Sequence, residues 1–344
     1  MSRRLSLALL PGLLFVLHAG QGFLPGSRVL LDAHNCYPEH GRYADRLERA
    51  LATGLPVAIE QDLVWYRDPR TGHGRSILSH GEPYTGAEPE MKEYLFEKIR
   101  PLVEGALRRD DRSAWPLITV NLDFKTAERE HLDAVWALLG EYESWLTTAP
   151  KVADERRVQA LAVGPVLVLT GCSDEQQAVF HDAVPLGARL RVFGCVPVEI
   201  PAWFRRQPFA DWERAWRLAT TAPRELIPTG ATNYRRWVNF SWTAVELGGA
   251  SRGGAWRDAE RRRLAELVRT AHQKGLWIRT YTLNGHRPDE GQGWSKDYNF
   301  GSPEAVRLRW QAAVKTGVDF LPTDQYEELG ALIRKTGQPA SATK

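Results

Sequence analysis

The sequence has little net charge and lacks the usual signatures of nucleotide binding. Its 45 Lys and Arg residues nearly balance 42 Asp and Glu residues, which leaves a formal charge of +3 over 344 residues. This excess is too small to argue by itself for a nucleic-acid partner. No GxGxxG follows a predicted strand and no P-loop occurs, which disfavours a nucleotide-binding protein. Internal repeats and low-complexity blocks are absent as well.

Long apolar runs are also missing, except for one at the N-terminus. Two arginines precede an apolar run from Leu5 to Leu17, and small residues follow up to Gly22. The run is shorter than the ~20 residues that span a bilayer. We therefore predict that residues 1–22 are a signal peptide and that the protein is secreted or periplasmic. Because no A-x-A sequence precedes the expected cleavage point, an uncleaved anchor stays an alternative.

Cysteines are few, and the sequence does not determine their state. Cys172 and Cys195 follow consecutive predicted strands, so a disulfide between them is open in an oxidising compartment. Cys36 is left over. We expect Cys36 to be a small buried residue rather than a catalytic thiol.

Apolar strand-like runs alternate with amphipathic helical segments along most of the chain. Helical spacing is clear from Leu132 to Tyr142 and from Leu264 to Ala271, and Gly275 ends the second of these helices. This alternation predicts parallel strands joined by helices, here a single-domain α/β protein with a (β/α)8 TIM-type barrel over residues 23–335. An open doubly wound sheet is the alternative, and residues 336–344 are predicted to be a disordered tail. The eight predicted strands cover residues 28–35, 56–65, 116–125, 165–171, 189–196, 234–242, 276–284 and 318–324.

Polar side chains stand at the ends of four of these strands. In such barrels the site forms at the C-terminal ends of the strands, and residues two apart share a face. Ile59 and Leu63 should then face the helices, opposite the carboxylates of the second strand. The pairs and triplets that should point into one cavity are Glu60 with Asp62, Asn121 with Asp123 and Lys125, Asn239 with Ser241, and Arg279 with Tyr281.

Three of these side chains are carboxylates that would repel one another in one pocket. A divalent cation held by Glu60, Asp62 and Asp123 would remove that repulsion. Oxygen ligands without thiolates or several imidazoles favour Mg²⁺ or Ca²⁺ over Zn²⁺. The alternative is a network of ion pairs with Lys125 and Arg279.

Two histidines flank the acidic cluster. His34 ends the first strand, and His80 ends a short β-like run that follows a hairpin turn after the second strand. Such a pair is suited to general acid–base catalysis near neutral pH. With a cation and basic side chains nearby, the set favours phosphoryl transfer or phosphodiester cleavage. The helical patterns place His131, His181 and His272 on solvated faces.

The segments "DAHN", "AIEQD" and "LSHG", in this order, resemble the motifs of the PLC-like phosphodiesterase superfamily. That superfamily includes glycerophosphodiester phosphodiesterases, phosphoinositide phospholipases C and sphingomyelinase D-type enzymes, and its members share a (β/α)8-like barrel. "DFK", "YTLN" and "GVDFLPTD" are similar to further parts of the glycerophosphodiesterase pattern. The segment from about residue 140 to 235 matches no pattern of this kind.

The resemblance implies a phosphoric diester hydrolase and a role for each matching residue. His34 and His80 would be the acid–base pair, and Asn35 would join the three carboxylates as a fourth ligand of Mg²⁺ or Ca²⁺. Phosphate or substrate would contact Lys125, Arg279 and Tyr281. Two positions depart from the glycerophosphodiesterase pattern, because Asn35 replaces an arginine and Asp123 replaces a glutamate.

The resemblance indicates a class of substrates rather than one compound. We expect a small-molecule or lipid phosphodiester, such as a glycerophosphodiester or a phospholipid head group, with peripheral membrane contact and no nucleic acid. Two other functions stay open. Thirteen tryptophans are compatible with a glycoside hydrolase, although two carboxylates side by side on one strand suit it poorly. A non-catalytic barrel that binds a phosphorylated ligand would not need two histidines.

Overall fold

The computed structural model describes residues 23–198, 211–250, 253–281, 283–290, 292 and 298–337. The predicted signal peptide lies outside these residues, as does the predicted tail beyond residue 337. The described part contains eleven strands: β1 (Leu30–Ala33), β2 (Val57–Arg67), β3 (Gly74–Leu78), β4 (Ile118–Phe124), β5 (Ala149–Pro150), β6 (Val166–Thr170), β7 (Arg189–Leu190), β8 (Phe193–Cys195), β9 (Arg235–Ser241), β10 (Trp277–Tyr281) and β11 (Phe320–Thr323).

Eight of the strands are parallel and close into a barrel in the order β1, β2, β4, β6, β8, β9, β10 and β11. Closure is visible at β1, where Asp32 pairs with Ala58 of β2 on one side and Leu30 pairs with Phe320 of β11 on the other. An open doubly wound sheet would have edge strands that pair on one side only, whereas β1 pairs on both sides. The doubly wound alternative is therefore wrong. The predicted single-domain (β/α)8 TIM-type barrel is confirmed, and all eight predicted strands belong to it.

Helices follow most of the barrel strands. They are α1 (Arg46–Ala52), α2 (Glu97–Arg109), α3 (Arg129–Glu141), α4 (Asp174–Gln177), α5 (Asp211–Thr220), α6 (Pro223–Leu226), α7 (Asp258–Gln273), α8 (Pro303–Thr316) and α9 (Tyr326–Gly337). The ends of α8 show how local sequence sets these bounds. The Ser302 hydroxyl accepts a hydrogen bond from the backbone N–H of Ala305, Pro303 occupies the first turn, and Gly317 ends the helix at a φ of +85°. Helix α9 extends two residues into the segment predicted to be a tail.

Two apolar layers hold the barrel together. The outer layer lies between strands and helices and includes Ile59 and Leu63 of β2, as period-two geometry predicts. The inner layer fills the N-terminal half of the barrel with residues such as Leu167 and Trp237. Phe23 closes that end by stacking on Trp277 at a ring separation of 5.2 Å. Because the lower half of the barrel is filled with apolar side chains, the polar ones collect at the opposite end.

The solvated positions predicted for three histidines are wrong. His131 and His181 are buried, and His272 is only partly exposed. His131 contacts the hydroxyls of Ser76 and Thr126 at 2.9 Å each, and His272 lies 2.9 Å from a carboxylate oxygen of Asp319. The rings of His131 and His272 have polar partners from other parts of the fold, which helical spacing cannot reveal.

The described helices do not include one that is both long enough and apolar enough to cross a membrane.

Candidate functional site

Three carboxylates meet where β2 and β4 end. The register of these parallel strands sets Glu60 beside Asn121 and Asp62 beside Asp123. One oxygen from each of Glu60, Asp62 and Asp123 lies within 4.8 Å of the others. Glu60 and Asp62 are buried, whereas 47% of the Asp123 side chain is exposed. The predicted acidic cluster therefore forms, with one carboxylate at the opening of the site.

Two basic side chains pair with this cluster. Lys125 Nζ lies 2.9 Å from Asp62 and 2.7 Å from Asp123. Arg279 is buried deeper and lies 2.9 Å from Glu60 and 2.5 Å from Asp32 of β1. The ion pairs of the alternative interpretation thus exist. They leave two buried carboxylate oxygens, Asp62 Oδ1 and Asp32 Oδ1, without a hydrogen-bond partner.

The surroundings of Asp62, the most buried carboxylate of the cluster, shift its pKa. Burial, with Glu60 and Asp123 nearby, raises the pKa of Asp62 to about 8 despite the favourable charge of Lys125. Burial works in the same direction on Glu60, but Arg279 and His34 hold the pKa of Glu60 below its ordinary value. The charge of Lys125 alone therefore does not offset burial and the neighbouring carboxylates at Asp62.

These observations fit a hard divalent cation. The donor set consists of oxygens, as Mg²⁺ and Ca²⁺ prefer. A cation beside Asp62 would give the unpartnered Oδ1 atom a ligand bond and would lower the raised pKa of this carboxylate.

His34 lies at the end of β1, next to the acidic cluster. Its Nδ1 atom is 3.1 Å from Asp324 at the end of β11, and its Nε2 atom is 3.5 Å from Glu60. Burial alone would lower the pKa of His34, but the carboxylates of Glu60 and Asp324 outweigh it and raise the pKa. The ring is thus held by a carboxylate on one nitrogen and turned toward the cluster with the other.

Asn35 continues from His34 into a left-handed turn with a φ of +51°. Its backbone N–H donates to Glu60, and its amide lies 2.8 Å from His34 Nδ1 and 3.0 Å from the Tyr37 hydroxyl. That hydroxyl is also 2.8 Å from Asp62. Asn35 therefore lies at the cluster, with both ends of its amide facing other side chains, and its role as a metal ligand stays a prediction.

His80 lies near enough to the acidic cluster for the charges of Lys125 and Asp123 to act on it. It follows β3, which pairs antiparallel with β2 as a hairpin. Burial and the charges of Lys125 and His34 lower the pKa of His80, while Asp123 opposes this shift. His80 therefore senses the same charges as the cluster, and the two histidines have pKa values shifted in opposite directions.

Tyr298 and Tyr281 form an aromatic wall beside His34. The Tyr298 ring stacks on the His34 ring at 5.6 Å and lies 6.4 Å from the Tyr281 ring. Tyr281, a predicted site residue, is therefore linked to His34 by the Tyr298 ring. Sequence reasoning missed Tyr298.

Arg279 occupies a different environment from the one expected of a substrate-binding group. Its three side-chain nitrogens contact Asp32, Glu60 and Asn239 at 2.5, 2.9 and 3.3 Å. These contacts fix Glu60 in place. Substrate binding by Arg279 stays a prediction.

Sequence reasoning also missed Asp32, Tyr37 and Asp324. Asp324 ends the last strand as His34 ends the first, so the rule that polar strand ends face the site would have identified it. The sequence has no comparable signal for Tyr37, which lies in the loop after β1.

Comparisons with known proteins show distant structural likeness alone. No family model matches the sequence, and no curated protein matches it either. A crystal structure of a glycerophosphoryl diester phosphodiesterase from Parabacteroides distasonis ATCC 8503 is 13% identical, covering 94% of this chain and 90% of that one, with a TM-score of 0.41. A Plasmodium falciparum HPPK-DHPS mutant crystallised with pteroate is 10% identical with a TM-score of 0.45, and the match covers 93% of this chain and 50% of that one. Likeness this distant assigns neither a family nor an activity.

Proposed function

We propose that the protein is a metal-dependent phosphodiesterase that acts outside the cytoplasm. The observation that carries the proposal is the convergence, at one end of the barrel, of the acidic cluster, His34, His80 and Lys125. Metal-assisted phosphodiester cleavage uses a site for a cation, a base for the nucleophile and an acid for the leaving alcohol. This set of side chains supplies all three.

Glu60, Asp62 and Asp123 would hold Mg²⁺ or Ca²⁺, with Asn35 as a fourth ligand. The bound cation would stabilise negative charge on the phosphate oxygens. Lys125 extends from the same cluster, with 24% of its side chain exposed, and would place a second positive charge beside the phosphate.

The two histidines divide the proton transfers. His80 has the lowered pKa and would take the proton from the attacking hydroxyl, which belongs to water or to the substrate itself. His34 has the raised pKa and would give its proton to the leaving alcohol. Asp324 holds the Nδ1 side of His34, so the Nε2 side delivers the proton. If the substrate's own hydroxyl attacks, a cyclic phosphate forms first.

The substrate is proposed to be a glycerophosphodiester or the head group of a phospholipid. Tyr281 and Tyr298 give the opening an apolar side next to His34, against which the non-phosphate part of a substrate would pack. Peripheral contact with a membrane follows if the substrate is a lipid.

A substrate panel tests the activity. Glycerophosphodiesters, phosphatidylinositol, sphingomyelin and aryl glycosides are each incubated with the protein, with and without EDTA. We expect EDTA-sensitive release of product from a phosphodiester only. Hydrolysis of an aryl glycoside would assign a glycoside hydrolase instead, and binding of a phosphodiester without turnover would assign a non-catalytic barrel.

Variants of the two histidines test the mechanism. His34→Ala and His80→Ala should each lower kcat on the best phosphodiester by about a hundredfold or more, without loss of the folded circular-dichroism spectrum. His73→Ala is the matched control, because His73 is an exposed residue of the same hairpin that leads to His80. Near-normal turnover by either site variant would refute its role.

The extracytoplasmic location rests on residues 1–22 and on a disulfide between Cys172 and Cys195. N-terminal sequencing of protein recovered from the culture medium or periplasm is the test. A first residue near 20 to 23 is the expected result, and an intact N-terminus in the cytosol would contradict it.

A further inference from the structure

A cavity of about 430 Å³ opens at the N-terminal end of the barrel, opposite the acidic cluster. Its walls come from the beginnings of strands, with Leu167 near the start of β6 and Trp277 at the start of β10. Phe23 and Leu161 add further apolar surface. None of these residues belongs to the proposed catalytic site, so the cavity is a separate feature of the fold.

One positive charge faces this apolar cavity. Arg236 lines it and is 6% exposed. Its guanidinium donates to the backbone carbonyl of Gln159 at 2.8 Å and lies over the Phe193 ring at 5.6 Å. Among the residues that the structure describes, no carboxylate forms an ion pair with Arg236, and its Nε atom has no hydrogen-bond partner. A buried charge of this kind is costly unless an anion reaches it.

A strand irregularity places Arg236 there. In the pairing of β8 with β9, Gly194 is opposite Arg235 and Cys195 is opposite Trp237, so Arg236 is one extra residue in β9. Bulges of this type redirect side chains and are common at sites of function. The barrel thus departs from regular pairing at the residue that carries the unpaired charge.

A second buried donor borders the same cavity. The Nε1 atom of Trp277 has no hydrogen-bond partner, although Trp277 is only 3% exposed. Arg236 Nε and Trp277 Nε1 are therefore two buried donors without acceptors in residues that line this cavity.

We propose that this cavity binds an amphipathic carboxylate, such as a medium-chain fatty acid, with its carboxylate on Arg236 and its alkyl chain against the apolar walls. Charge decides the head group. A single guanidinium compensates a monoanion, whereas a phosphate monoester would leave excess negative charge buried. Burial lowers the pKa of Arg236 to about 10, so the guanidinium is charged at neutral pH. Residues 1–22 contain neither Asp nor Glu, so that segment brings no side-chain anion to the cavity.

Calorimetric titration of the full chain with decanoate, decanol and decyl phosphate tests the proposal. We expect saturable binding of decanoate, and weaker binding of decanol and decyl phosphate. Arg236→Met keeps the length of the side chain without its charge and should weaken decanoate binding about tenfold or more, while decanol binding is retained. Arg157→Met, which removes an exposed arginine near the cavity, should leave decanoate binding unchanged.

Thermal unfolding separates a ligand site from a structural arginine. Without ligand, Arg236→Met should melt at the same temperature as the wild type or higher, because it removes an unpaired buried charge. Decanoate should raise the melting temperature of the wild type but not that of Arg236→Met. Equal decanoate binding by both proteins, tighter binding of decyl phosphate, or absence of decanoate binding would overturn the proposal. A variant that melts well below the wild type would also overturn it, since Arg236 would then be structural.

Discussion

At the scale of single residues, Asp324 is the group on which the acid–base assignment depends most directly. It lies 3.1 Å from His34 Nδ1, and its other oxygen accepts a hydrogen bond of 2.6 Å from Asn284. The charge of His34 holds the pKa of Asp324 below its ordinary value despite burial. Asp324 is therefore an anion that fixes both the orientation of the His34 ring and the nitrogen that carries its proton.

Asp324→Asn should lower kcat on a phosphodiester by about a hundredfold or more, because the amide keeps the shape of the side chain but not its charge. Steady-state kinetics on the best substrate of the panel give the measurement. The folded circular-dichroism spectrum and KM should change little. Turnover within twofold of the wild type would show that Asp324 does not orient His34 for the proposed reaction.

His131 gives the protein a pH dependence of stability that is independent of the site. Burial lowers the pKa of His131 to about 4, below the ordinary 6.5 that it regains on unfolding. As the pH falls below about 6.5, His131 becomes protonated in the unfolded chain, whereas in the folded protein it stays neutral down to about pH 4. Stability should therefore decrease across this window, by about 3 kcal/mol at most.

Urea unfolding at pH 7.0, 5.5 and 4.5 measures this effect. His131→Gln is the control, because glutamine keeps a hydrogen-bonding side chain but does not titrate. The wild type should lose more free energy of unfolding between pH 7.0 and 4.5 than the variant. Identical losses in the two proteins would mean that other groups cause the acid sensitivity.

At the scale of elements, β8 is the shortest of the eight barrel strands. It has three residues and pairs with β6 through Phe193 and Gly194, and its pairing with β9 is irregular. The disulfide between Cys172 and Cys195 joins the ends of β6 and β8 across this point. The structure thus pairs these two cysteines, which the sequence left open, and Cys36 is buried as expected.

Loss of this disulfide should destabilise the protein by about 3 kcal/mol, since it closes a loop with a sequence separation of 23 residues. Urea unfolding of the wild type and of Cys172→Ala, each with and without dithiothreitol, gives the measurement. The reductant should destabilise the wild type and leave the variant unchanged. Cys36→Ala should retain the sensitivity to reductant, and a wild type that is indifferent to dithiothreitol would contradict the prediction.

At the scale of the whole molecule, the barrel separates two chemically different ends. The C-terminal end holds the acidic cluster, the two histidines and Lys125, whereas apolar side chains fill the N-terminal half and surround Arg236. An excess of negative charge lies at one end and an unpaired positive charge at the other. A divalent cation and an organic anion should therefore bind independently of each other.

Mg²⁺ or Ca²⁺ should stabilise the folded protein by about 3 kcal/mol at a concentration a hundred times Kd, because the acidic cluster exists only in the folded chain. Thermal unfolding with each ion and with EDTA gives the measurement. Asp62→Asn should abolish the stabilisation. Asp133→Asn, which alters an exposed acid of α3, should retain it. Equal stabilisation of the two variants would place the cation elsewhere.

Local sequence patterns predicted most of the architecture. The eight strands, their inward and outward faces and the site at the C-terminal ends follow from short-range periodicity, since strand geometry repeats every two residues. Glu60, Asp62 and Asp123 were identified in this way because their partners in the cluster lie on neighbouring strands. His131 and His181 failed the same reasoning, because helical spacing does not identify the hydroxyl or aromatic ring that buries a polar side chain.

By itself, then, the sequence determined the barrel, the strand ends that face the site and the chemical type of the acidic cluster. The tertiary structure alone decided that Asp324 holds His34 across 290 residues of chain, that Cys172 meets Cys195, and that Arg236 lies unpaired in a cavity. The physical reason is one of range. Periodicity depends on residues that are close in the sequence. The partner of a buried charge depends instead on how distant strands align when the barrel closes.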